Sequence, residues 1–250
     1  MHRFNYSLVI LFSLVLSYGN ASGQTFSSGA RQIALLELYT SEGCSSCPPA
    51  DRWLSKFTTN PDLWKRIVPV AFHVDYWNYL GWEDRFSDAA YSLRQRQYAA
   101  SGYAGTVYTP GFFKNGREWR GWFSRKDFAS NLTQRSVGPL DVEIMDERIK
   151  ATFKPSSSYS GTLMLNVAYL GSGIETDVKE GENEGRKLKH DFVVLVLKHY
   201  RSSAATGSIQ WQFNQLKKPD PQHPVRAMAF WITREDDPTP IQATGGWVTQ

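Results

Sequence analysis

The sequence ELYTSEGCSSCPPAD occupies residues 37–51 and contains both cysteines of the 250-residue chain, Cys44 and Cys47. They lie where an apolar run gives way to a helical pattern. A C-x-x-C pair at such a junction is typical of a site that exchanges thiols and disulfides. In an oxidising compartment the same pair is also expected as an ordinary disulfide. So small a loop stabilises a domain little through chain entropy, which favours the redox interpretation.

The residues on either side of this stretch predict a strand–helix–strand unit. Residues 33–39 are almost all apolar, as in a parallel strand that is buried on both faces. After the cysteines, apolar residues recur from Ala50 at the i, i+3, i+4 and i+7 positions of one helix face. Residues 67–74 are a second apolar run and predict a second strand.

The pattern continues with a helix over residues 87–100, a short strand at 111–113, and an Asn115-Gly116 hairpin turn. A capping pattern then predicts a helix from Ser124 to Arg135. This order of elements matches the thioredoxin topology, so residues 30–138 are predicted to be an α/β thioredoxin-like N-terminal domain.

The second half of the chain differs in character. Residues 139–250 contain strand candidates that polar or glycine-rich turns separate, without a helical pattern. We predict a β-rich C-terminal module here, antiparallel and sandwich-like, that packs beside the first domain. Residues 24–29 are polar and small, and are expected to be an irregular leader.

The N-terminus and the composition predict an exported protein. Residues 1–21 combine a weakly positive start, an apolar run and small residues at the cleavage positions, as in a secretory signal peptide. No later segment reaches about eighteen apolar residues, so no stable membrane insertion is expected. The net charge of +4 is not clustered, which argues against nucleic acid as a partner. The protein is therefore expected to be secreted or periplasmic after cleavage, with no organic cofactor and an oligomeric state that the sequence leaves open.

Five motifs of the chain form a recognisable set: ELYTSEGCSSCPPAD at 37–51, FHVDYWNYLGW at 72–82, RQRQY at 94–98, VYTP at 107–110 and GENEGR at 181–186. Together they resemble a bacterial secreted family catalogued as domain of unknown function 1223. That family belongs to the thioredoxin-like superfamily and has a β-rich C-terminal part, so the resemblance implies that fold and export. No reaction is assigned to the family, so the resemblance implies no activity.

Redox chemistry gives the two cysteines different roles. A thiol at a helix N-terminus has a lowered pKa, because unpaired N–H groups and the helix dipole stabilise its thiolate. Cys44 is therefore the candidate nucleophile, and Cys47 the thiol that resolves the mixed disulfide. Pro110 is expected to be a cis-proline beside the pair, with the backbone of Thr109 binding an extended substrate; an ordinary trans turn is the alternative.

Three further sets of residues have two interpretations each. Glu37 is either a buried acid that moves a proton for Cys47 or the partner of an arginine in a salt bridge. His73 is either a core histidine or, together with the cysteines, a ligand for copper or zinc. Tyr76 and Trp77, in an aromatic loop with Tyr79 and Trp82, either form a substrate groove or fill the interface with the C-terminal module.

The favoured function is a thiol–disulfide oxidoreductase that acts on protein or small-molecule thiols and disulfides. One alternative is a metal-handling protein, and another is a binding protein in which the disulfide is only structural. The favoured function predicts that one set of residues converges on the cysteine pair: Glu37, His73, Asp75, Thr109 and Pro110.

Overall fold

The computed structural model describes residues 23–132, 135–202, 207–217, 219 and 222–249. The predicted signal peptide, residues 1–21, lies outside this part of the chain. The described strands are β1 (Gln24–Ser27), β2 (Ala34–Thr40), β3 (Ile67–His73), β4 (Gly111–Lys114), β5 (Arg117–Glu118), β6 (Leu140–Met145), β7 (Arg148–Phe153), β8 (Leu163–Asp177), β9 (Lys187–Arg201), β10 (Ile209–Asn214), β11 (Ala227–Arg234) and β12 (Gln242–Trp247). The α-helices in the same residues are α1 (Pro48–Ser55) and α2 (Ala89–Ala100).

The strands form two sheets. The larger is mixed and has eight strands, in the order β12-β11-β8-β9-β3-β2-β4-β5. Strand β3 lies parallel to β2 and to β9, while the other pairs in this sheet are antiparallel. The smaller sheet is antiparallel, in the order β1-β6-β7-β10.

The prediction of an α/β thioredoxin-like N-terminal domain followed by a sandwich-like module is wrong. The described residues are mostly β-strand in two sheets, with only two short α-helices. The edge of β3 that faces away from β2 pairs with β9, at Ala71 and Val193, and β8, β11 and β12 continue the same sheet. An apolar run predicts a buried strand but not its partner, and the unpaired backbone groups of β3 accept a strand from the second half of the chain.

Some of the local sequence patterns predict the structure correctly and others do not. The Asn115-Gly116 hairpin is confirmed: both residues have positive φ, 48° and 75°, and β4 pairs with β5 across them. The helix predicted from Ser124 does not form; its described part contains only a 3-10 turn, Ala129–Asn131. Arg125 adopts a φ of 54°, which interrupts the helical conformation at the second position. Residues 24–27 are a strand paired with β6 rather than an irregular leader.

The core lies in layers on the large sheet. Helix α1 packs on one face, with Leu54 among Leu36, Leu38 and Phe192. Helix α2 packs on the opposite face, with Tyr91 and Tyr98 in the same cluster as Phe72 of β3 and Trp231 of β11. A third cluster joins the two sheets, and its largest members include Phe26, Phe153, Trp211 and Phe230. Side chains that alternate along β2 therefore belong to different layers, which determines what each one can contact.

Candidate functional site

Cys44 and Cys47 form a disulfide at the start of helix α1. Cys47 precedes the first helical residue and already has helical backbone angles, and Cys44 lies in the turn before it. Both cysteines are buried, with 2% and 0% of their surface exposed, although Ser45 and Ser46 between them are exposed. The disulfide is therefore close to the surface but covered.

Thr109 connects the disulfide to the aromatic loop. Its hydroxyl donates to Sγ of Cys44 at 3.1 Å and accepts a hydrogen bond from the indole N–H of Trp77 at 2.7 Å. The peptide bond between Thr109 and Pro110 is cis, as the sequence predicted. Ser46 Oγ also lies 3.3 Å from Sγ of Cys44. Cys44 is thus the sulfur that receives hydroxyl hydrogen bonds.

A loop between β8 and β9, residues 178–186, covers the cysteine turn; we call it the strap. Backbone hydrogen bonds between Val178 and residues 185 and 186 close its base. The buried amide of Asn183 donates to the carbonyl oxygens of Glu42 (2.8 Å) and Cys44 (3.0 Å). The carboxylate of Glu182 accepts the N–H of Ser45 at 3.0 Å, and hydrogen bonds from the side chain and the backbone of Ser45 lower the pKa of Glu182.

The contacts of the strap were not predicted from the sequence. Residues 181–186 carry part of the family resemblance, but nothing in their charged sequence indicates a contact with the cysteine turn. The signal that it contained is Asn183: an asparagine between charged residues whose amide is able to bind two backbone carbonyls at once.

A cluster of ionisable side chains is buried on the sheet side of α1. It contains two histidines and three carboxylates from five different segments: Glu42, Asp51, His73, Asp84 and His190. Nδ1 of His73 lies 2.7 Å from Oδ2 of Asp84, an oxygen that also accepts the N–H of Glu42 at 2.8 Å. Nε2 of His190 lies 3.3 Å from Oε1 of Glu42, and the two histidine rings are 5.0 Å apart.

Burial and charge shift the pKa values in this polar cluster. Burial alone would lower the pKa of His73, but the carboxylate of Asp84 outweighs it and raises the pKa to about 9. For Glu42, burial acts to raise the pKa, but the contact with His190 and the charge of His73 lower it to about 2. For Asp51, burial dominates and raises the pKa. The polar cluster therefore combines fixed charges with a carboxyl group that holds its proton more tightly than usual.

Four buried atoms of this polar cluster have no hydrogen-bond partner among the described residues: Oε1 of Glu42, Nε2 of His73, and both ring nitrogens of His190. The ion pair between His190 and Glu42 is close enough for charge attraction but is not aligned as a hydrogen bond. Buried polar atoms usually have a hydrogen-bond partner. Four unpaired atoms in one place therefore make the polar cluster a candidate functional site.

The predicted site residues are only partly brought together. Thr109 and Pro110 lie at the disulfide, and His73 lies in the polar cluster, with Asp84 and His190 as its neighbours. Asp75 instead accepts a hydrogen bond from Ser92 of α2.

Glu37 lies in the layer of α2, where its carboxylate pairs with Arg94 at 2.9 Å and accepts hydrogen bonds from Tyr98 and Tyr39. Thr40, on the other face of β2, donates to Asp51 in α1. Glu37 thus has the salt bridge that was one of its two interpretations, on the face of the sheet away from α1.

The aromatic loop lies against the cysteine turn. The Cβ of Trp77 would be 3.2 Å from a Cβ added to Gly43, so residue 43 has no room for a side chain without a shift. Tyr76 donates to Gln95 of α2 at 3.0 Å, and Tyr79 is 77% exposed and stacks on Trp77. Trp77 therefore packs against the cysteine turn at Gly43 and is held beside it by the hydrogen bond to Thr109.

Among the described residues, no group of three or more His, Cys, Asp and Glu side chains is arranged to hold a metal ion. Cys44 and Cys47 are bonded to each other, and His73 pairs with Asp84. Within the same residues, no helix has the length and apolar character needed to cross a membrane.

The family profile described as "Protein of unknown function (DUF1223)" matches residues 35–232, which include the disulfide, Thr109, the strap and His190. The chain belongs to the DUF1223 family. A comparison with curated proteins found no match to this DUF1223 protein.

Two solved structures have a fold similar to that of the DUF1223 protein. The crystal structure of protein AGR_C_4864 from Agrobacterium tumefaciens is 24% identical, with a TM-score of 0.59, over 85% of this chain and 92% of that chain. HBP35 of Porphyromonas gingivalis is 16% identical, with a TM-score of 0.54, over 88% of this chain and 76% of that one. At these identities the similarity concerns the fold alone.

Proposed function

We propose that this DUF1223 protein is a thiol–disulfide oxidoreductase that reacts through Cys44 and Cys47. The observation that supports this most directly is the hydrogen bond from the hydroxyl of Thr109 to Sγ of Cys44, at the N-terminal end of α1. A hydroxyl donor and the helix dipole both stabilise a thiolate at this sulfur. A purely structural disulfide needs neither.

In the proposed reaction, a substrate thiolate attacks Sγ of Cys44. The Cys44–Cys47 bond breaks, its electron pair passes to Cys47, and a mixed disulfide forms between substrate and Cys44. A second substrate thiolate then attacks the substrate sulfur and releases Cys44 as a thiolate, which Thr109 stabilises. The substrate is oxidised and the protein reduced. In the reverse direction the thiolate of Cys44 attacks a substrate disulfide, Cys47 resolves the mixed disulfide, and the substrate is reduced to thiols while the Cys44–Cys47 disulfide re-forms.

Access to Cys44 requires movement, because only 2% of its surface is exposed. Two groups pack against the turn: Trp77 at Gly43 and Asn183 of the strap at the carbonyl of Cys44. We infer that protein or small-molecule thiols reach Cys44 after one of these is displaced. Tyr76 and Thr109 stay candidate substrate contacts, and export through residues 1–21 would place the pair where disulfides persist.

The test uses the protein lacking residues 1–21 in two assays: reduction of insulin by dithiothreitol, and oxidation of a reduced peptide. We expect turnover in at least one direction, lost in C44S, and trapping of a mixed disulfide in C47S. S45A is the matched control and keeps the activity, because the hydroxyl contacts to Sγ of Cys44 in the described residues come from Thr109 and Ser46.

Absence of turnover in both directions, together with a reduction potential below about −300 mV, would identify a structural bridge and overturn the proposal. Stoichiometric binding of Cu(I) by the reduced protein, without turnover, would favour the metal-handling alternative instead.

A further inference from the structure

Cys47 has no contact with solvent, so no water is at hand to protonate the thiolate that forms at its sulfur when the disulfide opens. Its exposed fraction is 0%, so the sulfur that receives the electron pair becomes an anion in a buried place. An unpaired buried charge is costly, and neutralisation by a proton is the usual outcome. Because water does not reach Cys47 in the closed structure, the proton has to come from a protein group nearby.

Asp51 lies where it is able to donate this proton to Cys47. Cys47 and Asp51 are four residues apart, both with helical backbone, and the N–H of Asp51 donates to the carbonyl of Cys47 at 3.2 Å. Residues at i and i+4 are neighbours on one helix face, with Cβ atoms about 5–6 Å apart. Both side chains are buried on the sheet side of α1.

The carboxyl group of Asp51 also has a route by which its proton is replaced. Oδ2 accepts the hydroxyl of Thr40 at 3.0 Å, and Oδ1 lies 4.0 Å from Nδ1 of His190. The other ring nitrogen of His190 lies 3.3 Å from Glu42. Both ring nitrogens of His190 lack a hydrogen-bond partner among the described residues, so they have vacant positions for exchange of a proton.

We propose that Asp51 donates a proton to the thiolate of Cys47 as the disulfide opens and takes it back when the disulfide forms, with His190 exchanging protons with Asp51. This inference rests on the proposed function. In the step, the S–S electron pair goes to Sγ of Cys47, an S–H bond forms there, and the O–H bond of Asp51 breaks. Asp51 is then a carboxylate until His190 returns a proton.

The surroundings of Asp51 support this role. Burial raises the pKa of Asp51, so its carboxyl group stays protonated to a higher pH than an exposed one. The charged groups that act on it are His190 of β9, His73 of β3 and Asp84 before α2, and Glu42 after β2 lies against His190. The histidines favour the carboxylate and Asp84 opposes it.

The experiment measures stoichiometric opening of the disulfide by dithiothreitol at a series of pH values, in the wild type, D51N and D191N. Asp191 is the matched control: it is also buried, it follows His190 directly, and its carboxylate accepts the N–H of Gly173 outside the polar cluster. We expect D51N to open at least about tenfold more slowly at the acid end of the range, a modest loss for a proton donor. The ratio of the wild-type opening rate to the D51N rate should fall toward one as pH rises. The rate of D191N should stay within about twofold of wild type at every pH.

A rate for D51N equal to wild type at every pH would overturn the inference, and so would a slower rate whose ratio does not change with pH, since that is a structural effect. If D51N does not fold, T40V serves instead. It removes a hydrogen bond that stabilises the carboxylate of Asp51, so the opening rate should change at a higher pH than in the wild type. A change at the same pH as in the wild type would overturn the inference. Wild-type opening is measurable without turnover, so absence of insulin turnover counts only against the proposed function.

Discussion

The hydroxyl of Thr109 donates to Sγ of Cys44 at 3.1 Å, while its oxygen accepts the indole N–H of Trp77 at 2.7 Å. In the reduced protein the same donor would face the thiolate of Cys44. A hydrogen bond to a charged group is worth about 1.5–3 kcal/mol. At about 1.4 kcal/mol per unit, T109V should therefore raise the pKa of the Cys44 thiol by about one to two units.

The measurement is the ultraviolet absorbance of the thiolate as a function of pH, in a C47S background that isolates Cys44. T109S keeps the hydroxyl and is the control. An equal thiol pKa in T109V and T109S would show that the hydrogen bond does not influence Cys44.

The strap should control how fast the disulfide reacts. Asn183 is buried and its amide holds two carbonyls of the cysteine turn, whereas exposed Glu182 accepts one N–H. N183A leaves those carbonyls without the amide, at a cost of about 1–3 kcal/mol. We expect faster opening of the disulfide by dithiothreitol and a lower free energy of unfolding, with E182Q close to wild type in both. Slower or unchanged opening in N183A would mean that the strap does not limit access.

Glu37 should be important for stability and not for redox chemistry. Its partner Arg94 is buried with it, and removal of one member of a buried ion pair typically costs about 3–5 kcal/mol. E37Q should lower the free energy of unfolding by about this amount, and E37Q/R94M should lose less than the two single variants added together. Denaturant unfolding measures both. If folded E37Q opens its disulfide more slowly than wild type, Glu37 takes part in proton transfer after all.

The pair of His73 and Asp84 should make stability depend on alkaline pH. The pKa of His73 in the folded protein is about 9, whereas an unfolded histidine has a pKa of about 6.5. A raised pKa contributes stability that is complete below the unfolded value and disappears as pH rises through the folded value. The free energy of unfolding should thus fall by up to about 3 kcal/mol between about pH 6 and pH 10.

H73Q isolates this contribution, because other groups that titrate in the same range are unchanged. The wild type minus H73Q difference in unfolding free energy should shrink across that interval. A difference that stays constant with pH would show that His73 is neutral in the folded protein.

Local sequence was enough for several elements near the site. The apolar runs predicted β2 and β3, the spacing from Ala50 predicted α1, and Asn115-Gly116 predicted a hairpin. Each of these depends on residues within one turn or one strand, where periodicity and backbone preferences act directly. The position of Cys47 at the start of a helix belongs to the same group. The cis bond before Pro110 does not: it was expected from the order of elements, because the local preference is for trans.

Local sequence did not predict which elements pack against each other. Period-two alternation says which side chains of β2 share a face, but not that the face of Glu37 meets Arg94 of α2 while that of Thr40 meets Asp51 of α1. The same limit made the thioredoxin-like domain prediction fail, because β9 joins β3 from about 120 residues away in sequence. That pairing brings His190 beside Asp51 and places Asn183 over the cysteine turn. Residues 37–51 by themselves are thus enough to identify the cysteine pair. The groups that cover the pair and exchange its proton come together only through long-range strand pairing. The free energy of that pairing depends on the whole chain and not on any local pattern.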